Sequence, residues 1–241
     1  MRRHARSDHG AGQGCVRLRR TALPFPPIVE SVVLHGFPVA LITDAPAASS
    51  LLAVILLASL VGLFAAPALI ERNLFRPYWL VSRREYATPV TSAFLHADLA
   101  HLFFNAFTFW AFAFALERQI GSARFLALYA FGLLASDLGT YLKHRRDPGY
   151  RCLGASGAIL AVLFASIVYS PTASIFILPI PVPIPAPLFA LAYLAYSYYA
   201  AGQARGKVNH DAHLAGALAG IAFVAITDAQ ALGRAWRFVV G

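Results

Sequence analysis

Five polar residues stand in stretches otherwise apolar enough for a lipid bilayer: His101, Asn105, Asp137, Ser156 and His213. A charge near the centre of the hydrocarbon costs a few kcal/mol on insertion scales, so such groups need a partner or a task. Ser156 and His213 are of the types that make a nucleophile and its general base. Ser156 sits in Gly154-Ala155-Ser156-Gly157, where an apolar run begins. Gly154 permits a tight turn, and Gly157 lets another backbone come close. A hydroxyl there lies beside the free N–H groups of a helix start, which can stabilise an oxyanion. A serine in that place is also an ordinary helix cap, and the motif alone leaves both readings open.

His213 opens another apolar run, with Gly216 and Gly220 after it. Helical spacing puts all three on one face. The two glycines form a small-residue stripe that allows close helix packing, with Gly157 as the expected partner. That packing would carry the imidazole to the Ser156 hydroxyl. Taken alone, His213 could equally be an interfacial histidine at a span end. His101 and Asn105, four residues apart, share one helix face and should point inward. There they could either bind a developing oxyanion or hydrogen-bond a neighbouring helix. Together these groups can run acyl transfer, with serine as nucleophile and imidazole as base. Asp137 is read instead as an inward structural hydrogen bond, to Tyr141 one turn on.

The elements that must position them are transmembrane helices. The chain has 241 residues, 59% hydrophobic and only 13% charged, against about 25% charged in soluble domains. About 20 apolar residues cross the hydrocarbon. Six spans are expected, at 47–70, 99–116, 125–142, 154–170, 187–200 and 212–227. They form an all-α membrane domain over 45–230, between a basic, largely disordered tail (1–44) and a short C-terminal tail (231–241). Pro179, Pro181, Pro183, Pro185 and Pro187 divide the long uncharged stretch before span five and should be extended. The candidate site residues then fall near one end of the bundle.

The net charge of +9 would suggest nucleic acid in a soluble protein. Here the arginines lie in the tail and between apolar runs, which suits lipid headgroups and topology. No nucleic-acid partner is expected. His96, His101, His210 and His213 lack the two-histidine, adjacent-glutamate pattern of zinc proteases, so no metal and no cofactor is expected. Cys15 and Cys152 fall on opposite sides of the membrane and read as free thiols. Loop charges do not decide orientation. The basic tail argues for a cytoplasmic N-terminus, in a multi-pass protein of a bacterial inner membrane.

These residues resemble the rhomboid family of intramembrane serine proteases. The likeness covers about 91–227. It rests on Thr91-Ser-Ala-Phe-Leu-His96-Ala-Asp, His101-Leu-Phe-Phe-Asn105, Glu117-Arg-Gln-Ile-Gly121-Ser122, Gly154-Ala-Ser156-Gly157, and Ala212-His213 with Gly216 and Gly220. The resemblance implies a six-transmembrane-helix rhomboid-like bundle with a water-filled cavity open to the extracytoplasmic side. It implies a Ser156–His213 dyad without a third acid, and an oxyanion held by His101, Asn105 and the Ser156 N–H. Glu117 and Gly121 would be structural. Substrates would be single transmembrane helices entering beside span five, cut after a small residue. Two departures stand out. Leu160 replaces the aromatic residue found four positions after the serine in many members, which leaves His213 to apolar contact. The family's Trp-Arg pair in the first loop has no clear match in Trp79 with Arg83 or Arg84. A catalytically inactive relative that binds transmembrane helices is the main alternative. A small transporter would need polar residues through the whole bilayer depth.

Overall fold

The computed structural model describes residues 44–177, 180–203 and 208–241. Cys15 and all but the last residue of the expected N-terminal tail lie outside the described residues. The described chain is mostly helical: α1 (Pro46–Leu60), continued by a π-helical turn (Val61–Ala65), α2 (Pro67–Arg72), α3 (Thr88–Ser92), α4 (Leu99–Ile120), α5 (Ser122–His144) and α6 (Ser156–Tyr169). A two-stranded hairpin, β1 (Ser174–Ile177) and β2 (Ile180–Pro185), precedes α7 (Ala186–Gln203), α8 (His210–Thr227) and α9 (Ala229–Val240).

Among the described residues, four helices are long and apolar enough to cross a membrane: Pro46–Ala65, Leu99–Ile120, Ser122–His144 and His210–Thr227. Their outer faces carry bare apolar side chains, such as Leu57 at 65% exposure and Ile226 at 77%. In water such faces would be a liability, whereas against lipid tails they cost nothing. Helix α6 differs. All its residues except Ser156, Ser166 and Tyr169 are buried, as expected of a helix that is apolar all round. It is the hub on which α4, α5 and α8 pack.

Small residues set how close these helices come. A Cβ added at Gly216 would lie 2.1 Å from the Gly157 carbonyl oxygen, and one at Gly220 would lie 2.2 Å from that of Ala161. On another side of α6, a Cβ at Gly132 would lie 2.3 Å from Ala161 Cβ, and one at Gly157 would meet Ser136. The expected stripe on α8 therefore has a counterpart on α5, formed by Gly132, Ser136 and Gly139, which the sequence reading did not single out.

Glu117 ties the far end together. Buried near the end of α4, it accepts hydrogen bonds from the N–H groups of Ala47 (3.0 Å) and Ala48 (2.6 Å) and from the Ser122 hydroxyl (2.6 Å). A carboxylate is a good partner for the exposed N–H groups and positive end of α1. Gly121, with φ +82°, then lets α5 begin directly after α4.

Three expectations change. The first span does not run unbroken to residue 70, because Pro67 cannot continue a helix and starts α2 instead. The proline-rich stretch is extended over Ile180–Pro185, but it is paired: Ile175 faces Ile184 and Ser174 faces Pro185 in an antiparallel hairpin with an irregular register between Ile175 and Ile177. Pro187 instead lies in the first turn of α7, where a proline is tolerated, and Pro179 lies outside the described residues. The C-terminal residues read as a short tail form helix α9. Asp228 caps it by accepting from the Ala231 N–H (2.9 Å), and Ala231 and Ala235 are buried one turn apart.

Candidate active site

Ser156 is the first residue of α6 and follows Gly154, whose φ of +121° is a conformation that side chains disfavour. The Gly154 N–H is anchored to the Ser92 carbonyl at 3.0 Å. This turn brings the serine into the bundle at a helix start. The contact of α8 with α6 through Gly216 and Gly157 then closes the distance between side chains. His213 Nε2 lies 2.9 Å from Ser156 Oγ, across 57 residues of sequence. The serine O–H can donate to the imidazole, which is the arrangement a general base needs.

Asn105 is buried, and its Nδ2 has no hydrogen-bond partner among the described residues. A buried amide without a partner is costly. This one lines a cleft of about 610 Å³ with Phe107, Ser156, Leu160, Tyr193 and His213. It is a spare donor in the same cleft as Ser156. His101 lies one turn before it, with its ring against Gly154: a Cβ on that glycine would lie 2.7 Å from His101 Cε1. His101 also meets His96 edge-on at 4.8 Å. His96 is fully buried and bonded to the Ser59 hydroxyl at 2.9 Å through Nδ1. Burial and the neighbouring His101 hold His96 down to about 3, so it is neutral at ordinary pH.

The sequence-predicted residues therefore gather at the starts of α4, α6 and α8. Gly154, Gly157, Gly216 and Gly220 are the close contacts around them. Glu117 and Gly121 lie at the opposite end of α4.

Sequence reasoning missed Tyr193. Its hydroxyl lies 3.1 Å from His213 Nδ1, so the imidazole is not held by apolar contact alone. A tyrosine in a run of aromatics, with Phe189, Tyr196, Tyr198 and Tyr199 nearby, carries no signal of an inward hydroxyl. Asp137 also departs from expectation. It makes no hydrogen bond to Tyr141, and its Oδ2 is buried without a partner among the described residues. It is near enough to Cys152 to act on it electrostatically, and burial, then Asp137, pushes that thiol up to about 12. Cys152 is free, and its backbone pairs with that of Phe75. In the first loop, Arg83 stacks 3.8 Å above the Trp79 ring, while Trp79 Nε1 donates to the Pro148 carbonyl at 3.1 Å.

Known proteins bear on this geometry. The chain is 42% identical over 82 residues to YdcA of Bacillus subtilis, named as a rhomboid protease candidate, which covers 34% of this chain and 40% of that one. It is 29% identical over 159 residues to the mitochondrial Rhomboid protein 1 of Saccharomyces cerevisiae, covering 62% of this chain and 45% of the relative. It is 38% identical over 86 residues to the rhomboid protease GluP of Bacillus subtilis, covering 36% of this chain and 16% of the relative. The chain thus spans less than half the length of these relatives. The Rhomboid domain matches residues 83–229, more than half of the chain and the whole stretch from His101 to His213, and on that match the chain belongs to the rhomboid family of integral membrane proteins.

Proposed function

We propose that the protein is an intramembrane serine endopeptidase that cuts single-pass transmembrane proteins with a Ser156–His213 dyad. The observation that carries this reading is the 2.9 Å contact between Ser156 Oγ and His213 Nε2 inside a cleft that also holds the unpaired Asn105 amide. In the first step His213 Nε2 takes the serine proton as Oγ attacks the scissile carbonyl. The carbonyl oxygen becomes an oxyanion, which accepts from Asn105 Nδ2, His101 and the Ser156 N–H. The imidazolium then gives its proton to the leaving amine. Water, activated by the same histidine, releases the acyl group.

Depth within the bilayer follows from helix length. Helix α6 has 14 residues, about 21 Å at 1.5 Å per residue, against a hydrocarbon thickness of about 30 Å. If Tyr169 reaches one interface, Ser156 stops roughly 9 Å short of the other. In this reading α6 and α7 join the four longer helices as spans, giving six. The basic tail is cytoplasmic, and the site opens toward the other side. The cleft runs along α4, α6 and α7 and is lined mainly by apolar side chains such as Phe107, Leu163 and Phe189, a surface suited to an unwinding transmembrane segment.

A serine-directed fluorophosphonate tests the reading. Wild-type protein should be labelled, and Ser156→Ala should not, while cleavage of a model transmembrane substrate falls on the order of a millionfold. Absence of label on well-folded wild type would instead favour an inactive relative that only binds helices.

A further inference from the structure

A general base in a dyad has no carboxylate to fix its tautomer, so something else must. For Nε2 to accept the Ser156 proton, the neutral ring must carry its own proton on Nδ1. That proton needs an acceptor inside the bundle. Among the described residues, the hydrogen-bond partner of Nδ1 is the Tyr193 hydroxyl, at 3.1 Å. The phenol is itself held in place. Its ring stacks on Phe189 (centroids 5.7 Å apart, planes at 28°) and leans on Phe164 (5.8 Å, 58°). Ser197, one turn further along α7, is fully buried, and its Oγ has no hydrogen-bond partner among the described residues.

We infer that Tyr193 is the positioning residue of the dyad, accepting the Nδ1 proton of His213 and so fixing both the tautomer and the ring plane of the base. This rests on the proposed serine-protease reading. As Nε2 becomes protonated, Nδ1–H becomes a charged donor, and its bond to the phenol oxygen strengthens. The contribution is therefore greater in the transition state than in the resting enzyme, and it appears in kcat. Tyr193 sits on the least embedded of the long helices: of its 18 residues only Ala186 and Ser197 are buried, while Leu188, Leu191, Tyr198 and Tyr199 are exposed. The base is thus set only while α7 is seated against α6 and α8.

The experiment compares the full chain with Tyr193→Phe, which keeps the stacked ring and removes only the hydroxyl. The expected result is a kcat about tenfold lower with KM within about twofold, the size of one lost hydrogen bond to a charged donor. Fluorophosphonate labelling, which needs no helical substrate, should slow by a similar factor. In parallel, ¹⁵N spectra of the resting protein, with the His213 signals assigned by their loss in His213→Gln, should show a single Nδ1–H tautomer in wild type and a mixture in Tyr193→Phe. Unchanged kcat and labelling, or a loss confined to KM, would overturn the inference. So would a His213 proton resident on Nε2, or a tautomer indifferent to the substitution, even if neither protein is labelled. Failure of wild type to label would count separately, against the protease reading, because the spectra decide the role of Tyr193 without turnover.

Discussion

Adding one methyl group at Gly216 probes how the dyad is assembled. In Gly216→Ala the new Cβ would be placed 2.1 Å from the Gly157 carbonyl oxygen, 2.8 Å from its carbon and 3.0 Å from its Cα. All three are backbone atoms of the first turn of α6, so no side chain can swing aside. Close carbon–oxygen contacts in packed backbones sit at about 3.3–3.6 Å, so the helices must part by roughly 1.2 Å. A parting of that size along the line between Ser156 and His213 stretches their 2.9 Å contact to about 4 Å, outside hydrogen-bond reach. Overpacking of this kind costs about 1–3 kcal/mol, and a 1 Å misplacement of reacting groups costs about a hundredfold in rate. The variant should therefore lose on the order of a hundredfold in fluorophosphonate labelling while its melting temperature in detergent falls by only several degrees. Gly202→Ala is the control, because a Cβ there meets nothing within 4 Å, and it should label at the normal rate. Wild-type labelling by Gly216→Ala would refute the claim that this backbone contact sets the dyad.

Other substitutions separate chemistry from scaffold. Asn105→Ala should slow turnover about a hundredfold with little change in melting temperature, as for a lost oxyanion donor; a normal rate in a cleavage assay would reduce Asn105 to a lining residue. Glu117→Ala should destabilise by about 2–4 kcal/mol, since it strands the Ala47 and Ala48 N–H groups, and detergent melting curves would show it while the pH dependence of labelling stays the same. His96 should make the protein sensitive to acid: the unfolded chain binds this proton below about 6.5, whereas the native state refuses it until about 3, so stability present above 6.5 is lost as pH falls, at about 1.4 kcal/mol per pH unit from this group. His96→Gln should flatten that part of the melting-temperature profile between pH 6.5 and 4, and an unchanged slope would remove His96 as its source.

The contact of Ser156 with His213 and the glycines that allow it were readable because both signals are local. A serine between glycines at a helix start, and a histidine one turn ahead of a small-residue stripe, each say which face must meet a neighbour. With one face fixed on each helix, packing leaves few ways to combine them, and Gly216 against Gly157 follows. Tyr193 was not readable, because it is one of several aromatics on α7 and nothing in its spacing shows that its hydroxyl turns inward. The same holds for Asp137, whose setting depends on Cys152, brought near it by the pairing of Cys152 with Phe75, and for α9, whose start is set by the Asp228 cap and whose place is set by a bundle surface accepting Ala231 and Ala235. These failures share a cause: in an apolar chain the hydrophobic pattern says that a helix is embedded, but it does not say which polar atom finds which partner. Here that choice determines the state of the base. The glycine contacts bring imidazole and hydroxyl together, but they leave the ring free to present either nitrogen, and a hydrogen bond from a third helix removes that freedom.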